Sequence, residues 1–222
     1  TLMRSSAASD VYKRQGKTID KLFILDGCQD GPIKSIVREA KKTDAIINYV
    51  DKERLDRLAG TGHHQGVVAI GAAYEYAEVE DILAAAKEKG EDPFIFILDE
   101  IEDPHNLGAI IRTANLAGAH GVIIPKRRAV GLTATVAKTS AGAINYTPVA
   151  KVTNISQTIE ELKKQGLWFV CADMGGETMY NLNLKGPIGL VIGNEGNGVS
   201  RLVKDKCDFI ASIPMKLSLI HI

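Results

Sequence analysis

The sequence predicts an α/β protein with two domains, a small one followed by a larger one that contains a parallel sheet. In residues 21–73, apolar runs of strand length alternate with amphipathic stretches whose apolar residues recur at helical spacing. After Pro93 the apolar runs are continuous, as in strands that are covered on both faces by crossover helices. Residues 74–92 are acidic and lysine-rich, and we predict that they form a linker between the domains.

The small domain is expected to start at Gly16 and to end at Ala73. Its predicted strands have the sequences KLFIL, AIINYV and GVVAIGA, and its predicted helices have the sequences PIKSIVREAKK and DKERLDRLAG. Within the predicted linker there is one short helical pattern, made by Val79, Ile82, Leu83 and Ala86.

The larger domain is predicted to cover residues 93–216. Its strand candidates are residues 94–98, 121–124, 167–172, 188–192 and 209–213. Helical patterns or long connections separate these runs, which is typical of parallel strands.

Both ends of the chain differ from the rest in composition. Residues 1–15 (TLMRSSAASDVYKRQ) are rich in Ser and Ala up to Gly16 and lack the apolar segment of a signal peptide. They resemble read-through translation of sequencing adapters, and residues 217–222 (LSLIHI) resemble the companion artefact. We predict that neither segment belongs to the fold and that the larger domain is truncated.

Composition excludes several classes of protein. No apolar run approaches the roughly 20 residues that a membrane-spanning helix needs. The three cysteines are widely spaced and form no CxxC pair, so a disulfide framework or a zinc site is not predicted. A reducing cytoplasm fits this cysteine usage best.

The net charge gives no sign of nucleic acid as a partner, because 27 Lys and Arg balance 27 Asp and Glu. Contact with RNA would therefore need a local basic cluster, and Lys126, Arg127 and Arg128 form a compact one. A solvated loop explains the same cluster equally well.

The first motif candidate is DPHNLGAIIRTAN, at residues 103–115. It follows the strand FIFIL, and we expect Pro104 to end an acidic turn and Asn106 to cap a helix over residues 107–117. Arg112 lies off the apolar face of that helix and can point to the crevice at the strand ends. Taken alone, Asn106 could be merely a cap and Arg112 merely a surface cation.

The second motif candidate is GPIGLVIGNEGNGVS, at residues 186–200. A predicted strand runs into a glycine-rich turn, and a helix is expected from about Val199. The glycines permit close approach of a ligand at the carboxyl end of a strand, where open α/β sheets bind ligands. The pattern matches neither the dinucleotide fingerprint nor the P-loop, so a plain turn with Glu195 as a solvated acid is the alternative.

The two motifs, followed by a strand that ends in IPM at residues 213–215, occur in an order that resembles the SpoU/TrmH family of RNA ribose methyltransferases. The resemblance covers residues 16–216. Residues 18–73, with the phrase HHQGVVAIG, are further similar to the substrate-binding module of the branch that methylates guanosine in bacterial 23S ribosomal RNA.

The resemblance implies a SPOUT parallel sheet whose C-terminal part forms a trefoil knot that binds S-adenosylmethionine. It also implies an L30e-like N-terminal domain, a homodimer, and methyl transfer to a ribose 2′-hydroxyl in large-subunit ribosomal RNA. The knot is expected to be incomplete, because the family's third motif should follow Met215 and is absent from residues 216–222. Transfer RNA as substrate, or a non-catalytic RNA-binding protein on the same scaffold, are the alternatives.

The resemblance also assigns roles to particular residues. Asn106, Arg112 and Glu195 are the implied catalytic residues, with Arg112 in phosphate binding or hydroxyl activation and the other two holding the active site and substrate together. The implied cofactor contacts are Gly193 and Ile213, with Met215 and Ala172 as their neighbours.

Other residues are interpreted as structural. The pair His63-His64 has no ligand partners at metal-binding spacing, and Trp168 is expected in the core. The small residues at positions 133–143 favour close helix packing over phosphate binding. His105 could cap the helix, contact RNA or act as a spacer.

Overall fold

The computed structural model describes residues 2–4, 19–28, 31–42, 45–60, 64–71 and 74–214. The chain divides into two compact units. The N-terminal unit comprises residues 1–75 together with 131–137, and the C-terminal unit comprises residues 76–130 and 138–222.

The N-terminal unit contains a four-stranded mixed sheet in the order β1-β4-β2-β3. The strands are β1 (Leu2–Arg4), β2 (Ile19–Leu25), β3 (Ile46–Val50) and β4 (Val67–Gly71), and the helices are α1 (Gly31–Lys42) and α2 (Lys52–Ala59). Strand β2 is parallel to β3 and antiparallel to β4. The three strands and two helices predicted for residues 16–73 are confirmed.

Each helix of the N-terminal unit packs against one face of this sheet. Leu22 and Ile24 of β2 pack with Ile33 of α1, whereas Phe23 packs on the other face with Leu55 of α2. Successive residues of a strand point to opposite faces, so alternate residues of β2 serve two separate cores.

Strand β1 lies within the segment that we predicted to be foreign to the fold. It pairs antiparallel with β4, with Leu2 opposite Ile70. The rest of that segment, residue 1 and residues 5–15, lies outside the described residues. The foreign origin of the segment stays a prediction.

The C-terminal unit is built on a six-stranded parallel sheet in the order β10-β8-β9-β5-β6-β7. The strands are β5 (Phe94–Asp99), β6 (Gly121–Pro125), β7 (Val149–Val152), β8 (Trp168–Thr178), β9 (Ile188–Gly193) and β10 (Phe209–Ser212). All five predicted strands are confirmed. Strand β7 was not predicted, because it has only four residues and includes Lys151.

Helices connect these strands. They are α3 (Val79–Lys89), α4 (Pro104–Leu116), α5 (Ala134–Thr139), α6 (Ile155–Lys164) and α7 (Arg201–Lys204), with short 3-10 helices at Ala143–Asn145 and Met179–Asn181. Residues 134–137 of α5 are assigned to the N-terminal unit. Among the described residues, no helix is long and apolar enough to cross a membrane.

Helix α3 lies within the predicted linker, and it is part of the C-terminal unit. Its Ile82 is fully buried in one cluster with Ile95, Ile97 and Ile123 of the parallel sheet. Gly121 makes room for it, since a Cβ at that position would lie 2.5 Å from Ile82 Cδ1. The short helical pattern was therefore a core-facing stripe, and the surrounding Glu and Lys residues are its solvated face.

Helix α4 begins earlier than the sequence suggested. Asp103, not Asn106, is the N-cap, and its Oδ1 accepts a hydrogen bond from His105 N at 2.6 Å. Pro104 is the first helical residue, where its missing N–H is not needed. The capping role expected for Asn106 is thus taken by Asp103, which leaves the Asn106 amide available for another partner.

The small residues near position 139 allow close packing against α4. A Cβ on Gly108 would lie 1.9 Å from Thr139 Oγ1 and 3.0 Å from Ser140 N. This contact agrees with the packing interpretation of residues 133–143.

Candidate active site at the edge of the parallel sheet

The two motifs meet where the order of the parallel strands reverses. From β5 the chain proceeds to β6 and β7 on one side, whereas β9 and β8 lie on the other side. The last residues of the two central strands, Asp99 and Gly193, are paired in register. Open α/β sheets bind ligands outside the carboxyl ends of their strands at such a switch point.

The loop after β9 is closed on itself by backbone and side-chain hydrogen bonds. Asn194 N donates to Gly198 O at 3.0 Å, and Gly198 N donates to Asn194 O at 2.8 Å. The Asn194 side chain accepts from Gly196 N at 2.8 Å and donates to Glu100 O at 3.1 Å. One asparagine therefore shapes the turn and ties it to the segment after β5.

Gly193 is required by close packing of the backbone. A Cβ at this position would lie 2.1 Å from Gly198 C and 2.2 Å from Val199 N. Beyond the turn, Ser200 N donates to Oδ2 of the buried Asp99 at 2.7 Å, and α7 follows, near the predicted helix start. These contacts fix the position of the turn that carries Glu195.

Asn106 and Glu195 are in direct contact. Asn106 Nδ2, in the first turn of α4, donates to Glu195 Oε1 at 2.6 Å. This bond joins the first motif to the second across 89 residues of sequence. Glu195 itself is exposed, so its second carboxylate oxygen can accept a hydrogen bond from a ligand.

Arg112 is not joined to this pair within one chain. It lies six residues after Asn106 on α4, which places it about 120° away around the helix axis. It is exposed, and no described residue forms a hydrogen bond or ion pair with its guanidinium. The structure therefore assembles two of the three predicted catalytic residues and leaves the third on another flank of α4.

Of the predicted cofactor residues, Gly193 and Ile213 lie at the carboxyl ends of their strands, and Ala172 lies within β8 just beyond its pairing with β9. Gly193 ends β9, the exposed Ala172 follows Cys171 in β8, and Ile213 follows β10 with 68% of its surface exposed. Carboxyl ends of parallel strands share one edge of a sheet, so Gly193 and Ile213 lie at that edge. Met215 lies outside the described residues.

Strand β8 carries a register shift beside these residues. Cys171 is opposite Ile210 but Glu177 is opposite Ala211, so residues 172–176 bulge out of the pairing. Gly176 is needed there, because a Cβ would lie 2.4 Å from Ile210 O. Within the bulge, Asp173 forms an ion pair with Lys204, and this hydrogen bond lowers the pKa of the Asp173 carboxyl.

Several residues that the motifs did not indicate support the site. Besides Asp99, they include Glu100, whose carboxylate accepts a hydrogen bond from Arg128 Nη1 at 2.6 Å. The pair neutralises one member of the Lys126–Arg128 cluster, and both residues have positive φ, 59° and 52°. The ion pair of Glu100 and Arg128 could not be predicted from the sequence, because the two residues are 28 positions apart and each could equally well be solvated.

The histidine and tryptophan that we interpreted as structural have protein partners. His64 is buried, its Nε2 lies 2.9 Å from Asp56 Oδ1, and its Nδ1 accepts from Gly66 N at 3.0 Å. Trp168 is half-buried and packs edge-on against Phe209, with ring centroids 5.5 Å apart. Within the described ranges, no three His, Cys, Asp or Glu residues group together as a metal site would require.

Two family models match this chain, one in each half. Residues 93–219 match the model of the SpoU rRNA Methylase family, and residues 11–77 match that of the RNA 2′-O ribose methyltransferase substrate binding family.

Curated relatives are similar over most of the chain. A Bacillus subtilis (strain 168) protein named "Putative TrmH family tRNA/rRNA methyltransferase YacO" is 52% identical over 203 residues, 91% of this chain and 81% of that protein. A Staphylococcus haemolyticus protein of the same family name is 49% identical over 201 residues, 90% of this chain and 80% of that protein.

Solved structures share the fold. The SpoU methyltransferase AviRb from Streptomyces viridochromogenes, in complex with AdoMet, has a TM-score of 0.59 at 21% identity and covers 98% of this chain and 82% of its own. An AdoMet-bound rRNA methyltransferase from Sinorhizobium meliloti has a TM-score of 0.56 at 20% identity, covering 98% of this chain and 79% of its own.

Proposed function

The chain belongs to the SpoU rRNA methylase family, and from this premise we propose that it is an S-adenosylmethionine-dependent RNA 2′-O-methyltransferase. Its proposed substrate is the ribose of a guanosine in large-subunit ribosomal RNA. The observation that carries the proposal is the Asn106–Glu195 hydrogen bond, which joins the two motifs at the switch point of the sheet.

A ribose 2′-hydroxyl is a poor nucleophile, so methylation requires in-line positioning, removal of its proton and stabilisation of nearby phosphate charge. Bound S-adenosylmethionine supplies an electrophilic methyl group. In our proposal the Asn106 amide orients the Glu195 carboxylate, whose other oxygen accepts the hydrogen bond of the hydroxyl. The Arg112 guanidinium matches the geometry of the adjacent phosphate and stays charged.

The residues present at the sheet edge suit the cofactor. Main-chain groups near Gly193 and the exposed apolar side chains of Ala172 and Ile213 provide the polar points and apolar walls that such a ligand needs. We assign cofactor binding to these residues and to Met215. The proposed trefoil knot would form around the same strands.

We further propose that the protein acts as a homodimer in the cytoplasm. Arg112 lies on a different flank of α4 from the Asn106–Glu195 pair, so a second copy could supply it. Leu116 and Tyr146, each 81% exposed, offer apolar surface on elements that the Asn115–Thr147 hydrogen bond connects at 3.0 Å. Burial of such side chains favours association.

Methyl transfer can be tested with labelled S-adenosylmethionine and three RNAs: deproteinised large-subunit ribosomal RNA, small-subunit ribosomal RNA and transfer RNA. Digestion to nucleosides and mass spectrometry should find 2′-O-methylguanosine from the large-subunit RNA. If the labelled methyl group were found in transfer RNA alone, the substrate would be transfer RNA instead of ribosomal RNA. A chain that binds RNA but gives no calorimetric signal with S-adenosylmethionine would contradict the enzymatic proposal and favour a binding protein.

A further inference from the structure

The N-terminal unit contains a groove beside α1 that the proposed chemistry does not use. It has a volume of about 530 Å³. It is bounded by α1, by the turn after β2 and by β3 at the edge of the sheet. Its lining residues include Asp26, Lys34, Arg38, Lys41 and Tyr49.

Three of these residues form a basic face on α1. Lys34, Arg38 and Lys41 are spaced at i, i+4 and i+7, which puts them on one side of the helix. All three are exposed, and none has an ion-pair or hydrogen-bond partner among the residues that the structure describes. By contrast Lys42, which does not line the groove, pairs with Glu39 at 3.0 Å.

The cations of the basic face repel one another. Like charges at this spacing repel and destabilise a helix, and Asp26 is the single acidic residue among the described lining residues. Because the chain as a whole is neutral, this concentration of unpaired positive charge is local. An anionic ligand in the groove would relieve the repulsion.

The same groove contains an exposed aromatic ring. Tyr49 of β3 is 59% exposed, whereas its neighbour Val50 is buried in the core of the unit. The ring offers an open face without any packing role in that core. Aromatic rings beside cations are how proteins hold single-stranded nucleic acid, with bases stacked on the ring and phosphates on Lys and Arg.

We propose that this groove binds a single-stranded segment of RNA, with a base stacked on Tyr49 and consecutive phosphates on Lys34, Arg38 and Lys41. The cations extend about 10 Å along the helix axis, which suits a chain of phosphates better than one isolated anion. The inference rests on the proposed function only in taking RNA as the polyanion. Within the unit that matches the substrate-binding family model, it assigns RNA contact to one groove and to four residues.

The test measures RNA binding by the full chain as a function of salt, with oligouridylate as the single-stranded probe and deproteinised large-subunit ribosomal RNA as the structured one. The variant K34Q/R38Q/K41Q removes the basic face, and its control K52Q/R54Q/R57Q removes the same charge from α2. We expect the first variant alone to reduce the slope of log affinity against log salt by about 2. Thermal unfolding of each variant verifies that it is folded.

The aromatic contact is tested separately with Tyr49→Ala and Tyr49→Phe. Loss of one stacked base weakens binding on the order of 10- to 100-fold, so Tyr49→Ala should do so for oligouridylate while Tyr49→Phe keeps wild-type affinity. Fully duplex RNA should bind both variants equally.

Equal salt slopes for both triple variants, or unchanged affinity in Tyr49→Ala, would overturn the proposed surface. These measurements need no methyl transfer. Failure of this proposal is therefore distinguishable from failure of the proposed enzyme, which would be seen as absent cofactor binding and absent RNA methylation with the RNA affinities intact.

Discussion

The groove on α1 and the edge of the parallel sheet differ in whether their polar side chains have hydrogen-bond partners within the protein. In the groove three cations have no described partner, whereas at the sheet edge Asp99, Asn194, Asn106 and Glu195 are all hydrogen-bonded. Unpaired charge attracts a polyanion from a distance and tolerates many positions of it. A bonded network instead holds a few groups in fixed positions, which is what chemistry at one atom requires.

Arg112 lies on α4, as Asn106 does, but it has no described partner. Its substitution is therefore the strongest test of this comparison. We expect Arg112→Ala to reduce methyl transfer by about 100-fold or more, as for removal of a group that stabilises transition-state charge. Cofactor affinity, measured by calorimetry, should stay unchanged. Arg201→Ala, another exposed arginine of the same unit, is the control, and full activity in Arg112→Ala would contradict the catalytic assignment.

Gly193→Ala should disrupt the hydrogen-bonded turn after β9 that carries Glu195. The new Cβ would lie 2.1 Å from Gly198 C, so the turn must move and carry Glu195 away from Asn106. We expect the free energy of unfolding to fall by about 1–3 kcal/mol, measured by denaturant titration, together with loss of methyl transfer.

Gly196→Ala is the matched control for that change. Its Cβ would approach nothing closer than Asn194 Oδ1 at 3.4 Å, so stability and activity should remain close to wild type. If the two variants behaved alike, close packing at Gly193 would not be the feature that positions the turn.

The Asn106–Glu195 bond can be tested with a double-mutant cycle. Each of Asn106→Ala and Glu195→Ala removes the same hydrogen bond, and Glu195→Ala also removes the proposed contact with the hydroxyl, so the double variant should lose little more activity than Glu195→Ala alone. We expect a coupling of about 1–2 kcal/mol in the rate of methyl transfer. Additive losses would mean that the two side chains act independently.

The smallest expected effect concerns the Asp173–Lys204 ion pair beside the β8 bulge. The hydrogen bond from Lys204 lowers the pKa of the folded-state carboxyl, so its stabilisation is present above the unfolded-state pKa and is lost as pH falls through the lowered value. In Lys204→Met, the free energy of unfolding, measured by denaturant titration at a series of pH values, should fall less steeply at acidic pH than in the wild type. Lys185→Met, at an exposed position, should leave this pH dependence as in the wild type.

Much of the fold could be predicted from local pattern. Five continuous apolar runs each became a strand of the parallel sheet, and the central strands β5 and β9 need apolar residues at successive positions because both of their faces are covered. The edge strand β10 is apolar although Phe209 and Ile210 are exposed. Helix α3 was taken for a linker because a single buried stripe, with Ile82 at its centre, is hidden among charged residues. The start of α4 was missed because Asp103 and Asn106 are both good caps, and only Asp103 precedes a proline.

Only those residues of the candidate site that lie within the two motifs could be predicted from the sequence. The resemblance to the family assigned Asn106 and Glu195 to one site with Arg112 or the ribose as partners, and the structure brings the two residues into contact with each other. The pairing of Arg128 with Glu100 depends on how β6 and β5 align in space, which no local spacing encodes. The catalytic and cofactor roles of the residues stay predictions, as does Met215, which lies outside the described residues.

The three hydrogen bonds that build the sheet edge have a consequence for synthesis of the chain. They join residues that are 89, 94 and 101 positions apart. A ribosome that has made β5 and α4 must continue through Ser200 before the partners of Asp99, Glu100 and Asn106 all exist. Contacts of such long sequence separation form slowly, so the nascent protein lacks these bonds of the proposed active site until the turn after β9 emerges.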